Sequence, residues 1–151
     1  MYKNIMAPLD GSELAESVLP HVKAFIKGFG ISDVVLVRVV EPDSTSVIDD
    51  GEVDFINKLL DFDKKRISSA KAYLDGVGEG LTGEKGKAHT AVLFGKPADS
   101  LIDYIESNDI DLIVIATHGR SGVTRWLMGS VAEKILRSAK VPIFIVRAPG
   151  R

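Results

Sequence analysis

Apolar residues along this chain repeat with two different periods. "NIMAPL" (4–9), "VVLVRVV" (34–40), "HTAVLF" (89–94), "LIVIA" (112–116) and "PIFIV" (142–146) are short, β-branched and apolar at consecutive positions. Such runs predict strands, and the lack of strict alternation in most of them predicts burial on both faces. Between them the spacing becomes helical. Leu14, Val18, Leu19, Val22, Phe25, Ile26 and Phe29 make one stripe over 12–29, with a kink expected at Pro20. A second stripe, over about 53–76, carries Phe55, Ile56, Leu59, Leu60, Ile67, Ala70, Tyr73 and Leu74. Shorter helices are predicted at about 97–107 (Leu101, Ile102, Ile105) and 130–139 (Val131, Ile135, Leu136, Ala139). Strand and helix alternate four times and a fifth strand closes the chain. That order predicts an α/β, three-layer α/β/α sandwich: a five-stranded parallel sheet with right-handed crossovers and helices on both faces. The polar, acidic segment "EPDSTSVIDDGE" (41–52) reads as a mobile loop.

Length and composition narrow the function classes. The 151 residues suit a single domain, 1–151, large enough to bury its own core. With no cysteine, disulfides, thiolate nucleophiles and thiolate metal sites are all excluded. Nineteen basic against twenty-one acidic residues provide no general attraction to nucleic acid or an anionic membrane, so neither is expected as a partner. The start "MYKNIMAPLDG" does not read as a secretory signal, and the apolar runs fall far short of the about 20 residues that span a bilayer. A cytoplasmic location is the resulting expectation.

In an open parallel sheet, ligands bind beyond the carboxyl ends of the strands, where the strand order reverses. The loops to weigh are therefore "PLDGSE", "VVEPD", "LFGKPAD" and "ATHGRSG". "GEGLTG" (Gly78, Gly80, Gly83) copies the dinucleotide fingerprint, but it follows a helix and precedes a strand. The fingerprint needs the reverse order, because the helix N-terminus holds the pyrophosphate. It is read as an ordinary connection. Asp10 has two readings: a helix N-cap with Glu13 completing a capping box, or a carboxylate accepting from a ligand hydroxyl or amine. Lys96 is read as an exposed turn lysine. His118 stands just past a strand, yet no nucleophile or carboxylate is fixed beside it by spacing.

The stretch from Thr117 to Ser130 carries more. It follows the most apolar strand and holds Arg120, Arg125 and three glycines, with no acidic residue. Ser130-x-x-Glu133 is a capping box. A helix start with open N–H groups and partial positive charge is also an anion site, and Gly119 and Gly129 allow close backbone approach. A serine hydroxyl can accept from its own helix and still donate to a phosphate oxygen. The combination points to a bound phosphate.

These residues resemble the universal stress proteins of the single-domain, nucleotide-binding kind, over nearly the whole chain. The family's ATP signature, G-x2-G-x9-G-S/T, places its second glycine on Gly119, then "RSGVTRWLM", then Gly129 and Ser130. Its first glycine falls on Ala116, a departure whose methyl bears on ATP affinity. "LDGSELAESVLPHVKAF" and "GSVAEKILRSAKVPIFIVR" are similar to the family's first helix and its closing helix and strand. The resemblance implies the adenine nucleotide alpha hydrolase-like arrangement, with sheet order 3-2-1-4-5 and ATP between strands one and four. It implies Pro8, Asp10 and Val39 beside adenine and ribose, with the Val39 backbone facing the base. Ala116, Gly119, Gly129, Ser130 and Val131 would line ribose and phosphates. A magnesium or manganese ion would be held through the phosphates, and hydrolysis would be slow or absent. The resemblance also implies a homodimer through the last strand, Pro142 to Arg147, whose apolar edge needs a cover. A family member that binds no nucleotide and acts by protein contacts is the alternative. Other families of this architecture fit less well. A flavodoxin-like protein wants a Ser/Thr-rich loop where "DGSELAES" is acidic, and a phospho-receiver wants an aspartate where Phe94-Gly95-Lys96 stand.

Overall fold

Parallel strands can neighbour one another only if each connection crosses a face of the sheet, and this chain uses both faces. The computed structural model describes residues 1–42, 53–81, 87–118 and 129–148. Five strands, β1 (Asn4–Pro8), β2 (Asp33–Val40), β3 (Lys87–Phe94), β4 (Leu112–His118) and β5 (Ile143–Ala148), form one parallel sheet in the order 3-2-1-4-5. Helices α1 (Glu13–Glu16), α2 (Leu19–Phe29), α3 (Val53–Leu81), α4 (Pro97–Ser107) and α5 (Ser130–Ser138) connect them. Of the segment 41–52, expected to be a mobile loop, residues 43–52 lie outside the described residues.

The two sheet faces bury two separate cores. Ile5, Ala7, Val34, Leu36, Val114 and Val146 pack with Val18, Val22 and Leu74, which puts α2 and α3 on one face. Met6, Val35, Val37, Ile113 and Ile115 pack with Leu101, Ile105, Ala132 and Ile135, which puts α4 and α5 on the other. Consecutive strand positions serve opposite cores, and this is why the runs lack a polar alternate.

Several boundaries differ from the sequence expectation. The stripe over 12–29 is two helices rather than one kinked helix. Ser17 and Val18 bond back to Leu14 and Ala15 in tight i→i−3 turns, and α2 restarts with Pro20 in its first turn, where a missing N–H costs nothing. Helix α3 runs five residues past the expected end at 76, to Leu81, so Gly78 and Gly80 lie in its last turns rather than in a connection. A Cβ on Gly78 would touch the Ala88 Cβ at 3.4 Å, so glycine lets the end of α3 lie close on β3; Gly83 is outside the described residues. Strands β3, β4 and β5 each run two residues beyond the apolar runs, because ladder bonds to a neighbour extend pairing past the apolar core.

Candidate functional site

The ladders locate the crevice. β1 pairs with β2 at five positions but with β4 only through Ile5 with Leu112 and Met6 with Ile113. Pro8 accounts for the early parting. The Leu9 N–H donates to the Val37 carbonyl of β2 at 2.8 Å. Neighbouring residues of a strand turn their polar groups to opposite sides, so the nitrogen of Pro8 faces β4 and has no hydrogen to donate. Beyond that point a cleft of about 370 Å³ opens over the carboxyl ends of β1, β2 and β4, roofed by the starts of α1, α4 and α5.

Seven of the eight expected site residues line this cleft: Pro8, Asp10, Val39, Ala116, Gly129, Ser130 and Val131. Gly119 lies outside the described residues, as do Arg120 and Arg125. Val39 and Val37 share a strand face with Ile115 of β4 in one core, and with Leu101 of α4 they make an apolar wall. Thr117 is the one buried polar residue among those described, and it too lines the cleft. Ala116 has a divided environment, because it lines the cleft and also packs against the core that holds Val114 and Val146.

The chain belongs to the universal stress protein family. The family model, described as the universal stress protein family, matches residues 1–147. Universal stress protein MJ0531 of Methanocaldococcus jannaschii is 30% identical over 153 residues, covering 100% of this chain and 85% of its own. The solved structure of MJ0577 superposes with a TM-score of 0.80 at 26% identity, covering 100% of this chain and 99% of the other. Two more distant structures share the fold. One is a universal stress protein in complex with cAMP (TM-score 0.65, 18% identity, 98% and 99% of the two chains). The other is an Arabidopsis thaliana family protein with AMP bound (TM-score 0.62, 12% identity, 97% and 92% of the two chains).

Two local expectations of this universal stress protein need correction. Asp10 is not the helix cap. Ser12 caps α1, its hydroxyl accepting from the Ala15 N–H at 3.1 Å. Asp10 Oδ1 accepts in turn from the Ser12 N–H at 2.9 Å and from the Ser12 hydroxyl at 2.5 Å. Asp10 thus braces the cap from two residues upstream and presents its carboxylate to the cleft. Partial burial raises its pKa. The two bonds from Ser12, its own backbone and the nearby Arg38 charge outweigh that and leave it below the ordinary value of 3.8. Ser130 is not a cap either: Gly129 is the N-cap of α5, in extended geometry (φ −56°, ψ 149°), and no side chain caps the helix. The capping-box spacing fails here because, with Gly129 as N-cap, Ser130 is already the first helical residue, and Glu133 instead meets Arg137 along the helix at 2.8 Å. The first N–H groups of α5 consequently face the cleft without an intrahelical partner.

Leu14, Ala15, Val37, Glu41, Leu101 and Thr117 also line the cleft and were not expected there. Strand parity was the available signal for Val37, which stands two residues from Val39, while Glu41 and Thr117 stand in two of the loops weighed above. Lys96 is an exposed residue at the start of α4, as expected. Among the described residues no group of three or more His, Asp or Glu is arranged to hold a metal, and no helix is long and apolar enough to cross a membrane.

Proposed function

We propose that this chain binds an adenine nucleotide, ATP, in the cleft between β1 and β4, and acts as a nucleotide-dependent binder or switch in a stress response. The observation that carries the reading is the parting of β1 from β4 beneath the uncapped start of α5. An apolar wall of Val37, Val39, Leu101 and Ile115 suits a flat base. Asp10 suits a ribose hydroxyl as an acceptor. The open N–H groups of α5, Gly129 without a Cβ and a Ser130 hydroxyl not spent on capping suit phosphate oxygens. Val131 lines the same side, and the family signature assigns Gly119 to the phosphates as well. A size of about 370 Å³ falls within the usual range for small-molecule sites. The complexes of two fold relatives with cAMP and AMP favour the adenosine moiety. A magnesium or manganese ion would be held through phosphates and water, as magnesium usually is.

The binding-free alternative rests on Ala116, where the family signature has glycine. The contacts of Ala116 with the Val114 and Val146 core favour the binding reading, because part of the added methyl is accommodated there. Calorimetry on nucleotide-stripped protein decides between them: heat with millimolar Mg-ATP supports the cleft, and its absence refutes it. Any turnover should stay well below the typical enzyme rate of about 10 per second.

We further propose that two copies pair through β5, Pro142 to Arg147, in the cytoplasm. β5 is a sheet edge, and Phe144 and Ile145, on opposite faces of it, are each 38% exposed. Phe25 and His21 of α2 cover Phe144 only in part, at ring distances of 5.2 and 5.5 Å. A second β5, related by a two-fold axis, would cover the remainder.

A further inference from the structure

Behind the β1–α1 turn, on the sheet face away from the cleft, lies a cluster that the nucleotide reading leaves without a role. The Arg38 guanidinium of β2 touches two neighbours. Its Cζ stands 5.2 Å from the centre of the Tyr73 ring of α3. The second neighbour is Gly11: a Cβ built there would meet Nη1 at 3.1 Å and Cζ and Nη2 at 3.4 Å each. The Nη end of the guanidinium therefore packs against Gly11. The backbone of Gly11 has φ +87°, a conformation that calls for glycine, and a Cβ there would also press on the guanidinium. The Tyr73 hydroxyl donates to Glu16 Oε1 of α1 at 2.6 Å, tying the far end of the same turn and helix to α3. Among the described residues Arg38 has no carboxylate within ion-pair distance, although its charge acts on Asp10. An arginine spent on stacking rather than pairing is placed for its shape as well as its charge.

We propose that Arg38, held against the Tyr73 ring that Glu16 anchors, is a positioning residue that fixes the Asp10–Gly11 turn and thereby selects for the ribose hydroxyls of the nucleotide. The selectivity half of this rests on the nucleotide reading above; the positioning half does not. Removing the guanidinium leaves Gly11 unsupported from below and lets the Asp10 carboxylate move from its bond with Ser12. The phosphate end of the cleft, built on α5, is untouched.

Two variants separate shape from charge. Arg38→Met keeps an apolar stem without charge, and Arg38→Lys keeps the charge without the plane. In ligand-free protein, amide hydrogen exchange at Ser12, whose N–H is held by Asp10, should accelerate several-fold in both. In parallel, affinities are measured for ATP, 2′-deoxy-ATP and 3′-deoxy-ATP. A hydrogen bond to a charged group corresponds to roughly tenfold or more in affinity, so the wild type should bind at least one deoxy analogue that much more weakly. Both variants should bring that ratio close to one. Loss of charge alone would weaken all three ligands equally in Arg38→Met and leave Arg38→Lys selective, which would overturn the proposal. Unchanged Ser12 exchange in both variants would overturn it as well. A wild type that binds none of the three nucleotides refutes the nucleotide reading and with it the selectivity, while Ser12 exchange still reads the support of the turn.

Discussion

Replacing Gly129 with valine should abolish nucleotide binding and leave the fold nearly intact. Gly129 has φ −56° and ψ 149°, a conformation open to any residue, and no heavy atom of the described residues lies within 4 Å of a Cβ built there. The folding cost is therefore that of a poorer N-cap, about 0.5–1 kcal/mol, since valine caps worse than glycine. For a chain of this size that lowers the melting temperature by only about 2–4 °C. The same empty space is where a phosphate must come to reach the first N–H groups of α5. Two methyls there would forfeit about two charge-assisted hydrogen bonds at roughly 1.5–3 kcal/mol each, a loss of roughly 100-fold or more in affinity. Titration calorimetry with Mg-ATP and a thermal melt of the same samples measure the two effects. A variant that binds ATP within threefold of wild type refutes the phosphate site at α5. A melting temperature more than 10 °C lower refutes the claim that the position is structurally idle.

Asp10 sits below the ordinary carboxyl pKa of 3.8 in the folded chain, so its ionised form stabilises the fold above that value. That contribution is lost as pH falls through the lower folded value, and Asp10→Asn should flatten the acid limb of urea midpoint against pH. Asp10→Asn should also weaken ATP at neutral pH by about tenfold, measured calorimetrically, because an amide is a weaker acceptor than a carboxylate. Ile145→Lys should shift sedimentation at micromolar concentration from dimer to monomer, and a monomeric wild type would end the pairing proposal. Leu36→Ala, at a fully buried position facing α3, should cost about 2–5 kcal/mol by urea titration.

Fold class was legible because the information is local. Buried parallel strands and amphipathic helices advertise themselves by period, and β-branched runs such as "VVLVRVV" have little else to become. The sheet order was not local in this sense and came from family resemblance. Of the site, Asp10 was legible from the rule that ligands sit at strand ends, and Gly129 and Ser130 from the chemistry of a helix start; Pro8, Val39, Ala116 and Val131 came from the family resemblance, and all seven line one cleft. The capping assignments failed at Asp10 and Ser130 because one spacing serves several geometries. Whether a serine caps depends on which residue leaves the helical conformation first, and neighbours in space decide that. Pro8 was visible as a residue, but its effect on β4 depends on which strand lies beside it. Arg38 gave no signal at all within an apolar strand. Its meaning needs Gly11 from one loop and Tyr73 from a helix 35 positions later, brought against it only by folding. Periodicity and turn chemistry, which act between near neighbours, were thus written in the sequence; pairing partners, the opening of the cleft and the support beneath Asp10 arise from contacts between distant segments, which only the tertiary structure brings together.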